Sequence, residues 1–167
     1  LDFALTKPVN GQFMVSFRYV KSYAIVSVVI LLVILINLVL EYKTPIGITN
    51  VVAFIISFLM GTIIWYCVDF MISSSCFWFK NFSVAGWLSH EILKFSMRPD
   101  SIYTGLLRKI LFSFVPMILI ASIPTRILLY GPQINYLFGQ CIISIVFFLM
   151  TRLVWKKGLL KYESASS

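Results

Sequence analysis

Residues 24–40 read AIVSVVILLVILINLVL, with only Ser27 and Asn37 to interrupt the hydrocarbon. With Tyr23 and its flanks the run reaches the ~20 residues that a helix needs to cross a bilayer. In lipid every backbone N–H and C=O must be satisfied internally, so a spanning segment of this kind is a helix. The stretch therefore decides the fold class, which is all-α and membrane-spanning. Glu41-Tyr42-Lys43-Thr44-Pro45-Ile46-Gly47 ends it, with Pro45 and Gly47 as breakers.

Three further runs follow the same logic. One covers about residues 51–79 and exceeds the ~30 Å hydrocarbon core, so it must tilt, bend or project beyond it. The next covers about residues 106–123, interrupted by Pro116 and closed by Pro124, with 125–131 as a short apolar continuation carrying Arg126. After the Gly131-Pro132 turn, the last run covers about residues 134–154. Its tail, Trp155-Lys156-Lys157-Gly158-Leu159-Leu160-Lys161-Tyr162, is an aromatic and basic membrane anchor. Residues 83–97 differ: Val84, Leu88, Ile92 and Phe95 recur at helical spacing with Trp87 beside them, while His90, Glu91, Lys94 and Arg98 take the polar positions. That pattern is an interfacial amphipathic helix, ended by Pro99. The expectation is one polytopic transmembrane helical bundle, with four membrane spans plus a cytoplasmic interfacial amphipathic helix.

Composition agrees. The chain is 60% hydrophobic and 12% charged, against roughly 45–50% and about 25% in soluble domains. The net charge of +8 is not spread as a nucleic-acid-binding surface would need. With the N-terminus inside, Lys7, Arg18, Lys21, Lys80, Lys94, Arg98, Arg108, Lys109, Arg152, Lys156, Lys157 and Lys161 all fall on the cytoplasmic side. Only Lys43 and Arg126 fall outside. The positive-inside rule selects this threading, with both ends of the chain cytoplasmic in a multi-pass cell-membrane protein. The partner that the charges imply is membrane lipid, not nucleic acid.

Catalytic and metal sets are missing from the sequence. His90-Glu91 opens like a zinc-protease motif, but position 94 is Lys94. Cys67, Cys76 and Cys141 form no Cys-x-x-Cys pair and read as small apolar filler. No phosphate-binding Gly-x-x-x-x-Gly-Lys-Ser/Thr loop is present. The expectation is a non-enzyme without a cofactor.

Several residues inside the runs have two readings each. Asp69 is the one acid within an apolar run. A carboxylate at mid-bilayer costs ~2.5–3.5 kcal/mol on insertion scales, so it marks either an ion or substrate path or the cytoplasmic end of an over-long span. Ala53, Ser57 and Gly61 follow small-xxx-small spacing, for packing within the chain or against another subunit. Pro116 and Pro124 shape a cavity or only kink a helix. Asn135 and Gln140 line a polar path or act as interhelical hydrogen-bonding glue.

Several strings, taken in order, resemble a known family. Leu1-Asp2-Phe3-Ala4-Leu5-Thr6-Lys7-Pro8 with Phe13 resembles the segment before the third span of a six-span permease. Phe77-Trp78, Leu93-Lys94-Phe95-Ser96, Pro99 and Ile102-Tyr103 resemble its central cytoplasmic loop. Phe114-Val115-Pro116 and Ile123-Pro124 resemble its fifth span, and Trp155-Lys156-Lys157-Gly158-Leu159 with Lys161-Tyr162-Glu163-Ser164-Ala165 its C-terminus. The family is the bacterial ATP-binding-cassette (ABC) permeases of the type-2 exporter class, in the branch with uncharacterised substrates. One departure is Thr104, where the family pattern has a proline. The resemblance covers essentially the whole chain and implies two further spans upstream, so that this chain corresponds to spans three to six.

It also implies a transport subunit that pairs with a second permease, identical or similar, on cytoplasmic ABC ATPases. The implied activity is export of a hydrophobic or amphipathic small molecule. Candidates for contact with the ATPase are Asp2, Leu5, Lys7, Pro8 and Phe13 in the segment ahead of the first run, and Trp87, Lys94 and Arg98 around the interfacial helix. Candidates for the translocation path are Asp69, Pro116, Pro124 and Gln140. An ion-coupled carrier using Asp69 and a membrane scaffold without transport stand as alternatives.

Overall fold

The computed structural model describes residues 10–17, 22–42, 46–79, 84–97, 102–106, 109 and 116–161. The chain divides into two units, one of Leu1–Ile46 with Glu163–Ser167 and one of Gly47–Tyr162.

In the first unit, α1 (Gly11–Ser16) starts at Asn10, whose Oδ1 accepts from the backbone N–H of Gln12 at 3.0 Å and of Phe13 at 3.5 Å. Such a cap satisfies donors that a helix start otherwise leaves open. Helix α2 (Ser22–Leu40) holds the apolar run of residues 24–40. Its two polar side chains bond back to their own helix: Ser27 Oγ donates to the Tyr23 carbonyl at 3.1 Å and Asn37 Nδ2 to the Val33 carbonyl at 2.9 Å. Both bonds lower the cost of facing lipid.

The second unit holds α3 (Ile48–Ser74), continued by a 3-10 turn at Ser75–Phe77, then α4 (Ala85–Ser96), α5 (Ile118–Tyr130) and α6 (Ile134–Leu159). Helices α5 and α6 both pack along α3, and α4 docks near its C-terminal end. The pairings give the directions. Asn50 meets Leu128 and Gly61 meets Ile120, so α5 runs antiparallel to α3. Ser57 meets Gln140 and Cys67 meets Thr151, so α6 runs parallel to α3. The C-terminal ends of α3 and α6 therefore lie at the same end of the unit, as alternating passes through a membrane require.

Tyr23–Leu40, Ile48–Phe77 and Ile134–Leu160 are long and apolar enough to cross a membrane. Ile118–Tyr130 is shorter, about 20 Å at 1.5 Å per residue. The expected third run, 106–123, lies largely outside the described residues. Where it is described, Pro124 sits inside α5 and does not close a helix at 123. Proline has no N–H to give the Ile120 carbonyl one turn earlier, and such a break is tolerated in a membrane helix when a neighbour covers it. Here the neighbour is α3 at Gly61. A Cβ on Gly61 would stand 2.8 Å from that same Ile120 oxygen and 3.2 Å from the Ile120 Cα. Helix α5 ends at Gly131, whose φ of +95° suits glycine, with its N–H bonded to the Ile127 carbonyl at 3.0 Å.

The core is small and partly polar. Ala53, Ile64, Leu119, Ile123 and Ile127 form one buried cluster, and Val68, Tyr103, Met117 and Ile118 form another. Between the helices lies the fully buried side chain of Gln140. Its Nε2 donates to the Ser57 carbonyl at 2.9 Å and the Leu119 carbonyl at 2.7 Å, and its Oε1 accepts from Ser57 Oγ at 2.6 Å. One amide from α6 thus ties α3 and α5 together. At the far end of the seam, Trp155 meets Phe70 and Phe77 with ring centroids 5.4 and 5.6 Å apart. Gly158 leaves no room beside the Phe77 ring for a Cβ.

Two outcomes follow for stability, read as the thermal midpoint or denaturant response in a mild detergent. Gln140→Leu keeps the volume and loses three hydrogen bonds, so it costs about 1–2 kcal/mol at the ~0.6 kcal/mol typical of such bonds in membranes. Ser57→Ala loses one of them and costs less, and the double variant costs less than the sum. Gly61→Ala forces α3 and α5 apart at a backbone carbonyl, and its cost is about 1–3 kcal/mol, whereas Gly139→Ala, which meets open space, is neutral or stabilising.

Candidate functional site

Among the described residues, the candidates for contact with a cytoplasmic partner, Phe13, Trp87 and Lys94, fall on two helices. On α1, Phe13 is exposed and pairs with Phe17, also exposed, with ring centroids 4.7 Å apart. The Asn10 cap starts α1 so that Gln12 turns inward and Phe13 outward. The result is an aromatic pair on the surface a few residues ahead of span α2. Asp2, Leu5, Lys7 and Pro8 lie outside the described residues.

On α4, the outward side carries Trp87, 62% exposed, with His90 and Lys94. Lys94 Nζ and Glu91 Oε1 form a surface ion pair at 2.5 Å, three residues apart. Pairs of this kind contribute little to stability, so both groups remain open to a partner's charge. Arg98 lies outside the described residues.

The side of α4 that meets α3 is partly polar. Val84 is exposed, Leu88 and Ile92 are half-buried, and the buried positions are Ser89 and Ser96. The reason is Asp69. The Ser89 hydroxyl donates to the Asp69 carboxylate, so the acid on α3 draws a hydroxyl toward it. Ile92 packs beside this bond on the cluster of Val68, Tyr103, Met117 and Ile118. Ser96 Oγ bonds back to the Leu93 carbonyl at 2.7 Å. Asp69 stands roughly 30 Å along α3 from Ile48, at 1.5 Å per residue. That distance equals the depth of a hydrocarbon core measured from the start of the span.

The membrane candidates divide by depth. Gln140, Ser57 and Gly61 meet Leu119 where α3, α5 and α6 touch, and Pro124, also buried, follows one turn along α5 from Ile120, which faces Gly61. Ala53 lies one turn from Ser57 on the same face of α3. Pro116 is fully buried just ahead of α5, and its carbonyl accepts from the Leu119 N–H at 3.2 Å. Asp69 belongs to a different level, three turns beyond Ser57. Among the described residues no group of His, Cys, Asp and Glu side chains is placed to hold a metal ion.

Two features escaped the sequence. Ser89 carried a faint signal, since Ser89, Ile92 and Ser96 repeat at helical spacing along one line of α4. The clasp of Phe70, Phe77, Trp155 and Gly158 had only the Trp155–Gly158 spacing, and no pattern tied it to α3.

Residues 1–166 match the family model described as ABC-2 family transporter protein. No curated protein and no solved structure matches the chain. The match covers nearly the whole chain and agrees with its long apolar helices. The chain belongs to the ABC-2 transporter family and is an ABC-type transmembrane permease subunit.

Proposed function

We propose that this permease exports a hydrophobic or amphipathic small molecule, driven by ATP that a cytoplasmic cassette subunit hydrolyses, and that it works beside a second permease, identical or similar. The family match is the observation that carries the reading. The exposed pair of Phe13 on α1 and Phe17 at its end supports it, because a soluble partner needs an exposed apolar foothold. Both ends of the chain face the cytoplasm in this reading, by the positive-inside bias of the sequence.

The mechanism is alternating access. Closure of the ATPases moves α1 and α4, and the spans follow as bodies. Such movement transmits force only if the partner contacts the two conformations differently. Helix α3, held to α5 and α6 through Gln140, is suited to move as a unit. Small-molecule cargo then passes between permeases, over generic apolar surface with scattered hydroxyl and amide groups.

Phe13→Asp tests the coupling contact. It places a charge in the aromatic pair without touching a span, so membrane insertion and expression stay at wild-type level. ATP-driven transport falls at least about tenfold, the equivalent of 1.4 kcal/mol of lost contact. Full transport by this variant, measured in vesicles with the ATPase present, would remove α1 from the coupling path. Asp69→Asn separates export from the ion-coupled alternative. Asparagine keeps an acceptor for the Ser89 hydroxyl, so ATP-driven transport persists within about threefold. Complete loss, together with proton- or sodium-dependent uptake by the wild type without ATP, would favour the carrier.

A further inference from the structure

The C-terminal end of α6 and the turn after it carry four cations that no described residue neutralises. Arg152, Lys156, Lys157 and Lys161 are all exposed, and among the described residues none makes an ion pair. The sequence makes this more than an accident of side-chain placement: residues 101–162 contain no Asp or Glu at all. The four cations also stand at a costly spacing. Arg152 and Lys156 are four residues apart on α6, where like charges at that spacing oppose each other. Lys157 has the same spacing to Lys161, which sits in the turn that follows with its N–H bonded to the Gly158 carbonyl at 3.0 Å. Two such pairs side by side favour a bound anion, and no acid among the described residues is paired with them.

Depth and rigidity indicate which anion. Arg152 lies roughly 27 Å along α6 from Ile134 and Lys161 roughly 40 Å, at 1.5 Å per residue. That range runs from the edge of a ~30 Å hydrocarbon core into the headgroup layer. The same turns are held in place by the clasp, since Trp155 packs on Phe70 and Phe77 and Gly158 abuts the Phe77 ring. Arg152, Lys156 and Lys157 thus project from a fixed stretch of helix, with Lys161 in the turn just beyond it, and the last carbonyls of the helix also favour positive charge. Trp78 and Phe79, both exposed, stand next in the chain to Phe77, as aromatic residues do at a membrane interface.

We propose that the C-terminal end of α6 is a seat for anionic phospholipid, each cation pair bridging one headgroup phosphate. The phosphate turns the repulsion within each pair into attraction, and it adds stability to the end of the unit where α3 and α6 meet. The seat is independent of what the permease transports.

The test uses the full-length protein in nanodiscs of phosphatidylcholine alone, and of phosphatidylcholine with one third phosphatidylglycerol, at equal ionic strength. Tryptophan fluorescence gives the thermal midpoint. Phosphatidylglycerol raises the wild-type midpoint by about 4 °C. Arg152→Gln/Lys157→Gln removes one cation from each pair. It loses most of that rise while its midpoint in pure phosphatidylcholine does not fall, because the repulsion has gone. Lys156→Gln/Lys161→Gln, which removes the other member of each pair, behaves the same way. Arg18→Gln/Lys109→Gln removes equal charge elsewhere and keeps the rise. The proposal is overturned if both paired variants keep the rise, if the control loses as much as they do, or if inorganic phosphate added to phosphatidylcholine discs reproduces it. A lower midpoint for both paired variants in pure phosphatidylcholine would also overturn it, since the cations would then be serving the fold.

Discussion

One buried amide sets the register of the second unit. Between helices in lipid there is little hydrophobic drive to associate, so close packing and interhelical hydrogen bonds decide how they meet. Gln140 supplies two donor contacts and one acceptor contact to Ser57 and Leu119, on two different helices. An amide that is buried and left unpaired would cost far more than each bond contributes, so any slide of α3 or α5 past α6 is penalised. With that register set, Gly61 falls opposite the Ile120 carbonyl that Pro124 leaves without a helical donor. The two apparent defects, a proline inside a helix and a glycine in a span, fit each other.

The seam continues from there. Ser144 Oγ and Thr151 Oγ1 each bond to their own helix, at 2.7 and 2.8 Å, and each also reaches a carbonyl of α3 at 3.4 Å. The longer contacts are weak. Their value is that small hydroxyl side chains, satisfied locally, let two long helices run side by side until Trp155 and Gly158 close the far end. A seam of Leu and Ile in the same positions would bury more apolar area and hold the helices further apart.

Much of this architecture was legible in the residues. The apolar runs beginning near 24, 51 and 134 needed only length and hydropathy, and their order along the chain already implied the alternating directions seen in α3, α5 and α6. Ala53, Ser57 and Gly61 were visible as a packing face through their spacing alone. Pro124 was misread as a terminator because a lone sequence carries the helix-breaking tendency of proline but not the neighbour that offsets it. The contact of α4 with α3 was not legible, for a similar reason. Apolar periodicity marked Val84, Leu88 and Ile92, whereas a single acid on another helix turned Ser89 inward. The coupling residues near the start of the chain rest on family resemblance, since nothing in their chemistry distinguishes a docking segment from any amphipathic stretch. Phe13 is the member of that group to which the structure adds something, an exposed aromatic pair.

The Asp69–Ser89 bond bears on how α4 can act. A carboxylate near the end of a span has to find a donor, either water at the interface or a protein hydroxyl. Here the donor is a buried serine on a helix whose opposite side is exposed. Displacing α4 from α3 would take that donor from the half-buried acid and would pull Ile92 from the cluster of Val68, Tyr103, Met117 and Ile118. Helix α4 and the end of α3 are therefore expected to move as one piece. Force applied at Trp87 would then reach the Gln140 seam through a hydrogen bond and packed side chains, with no flexible segment between.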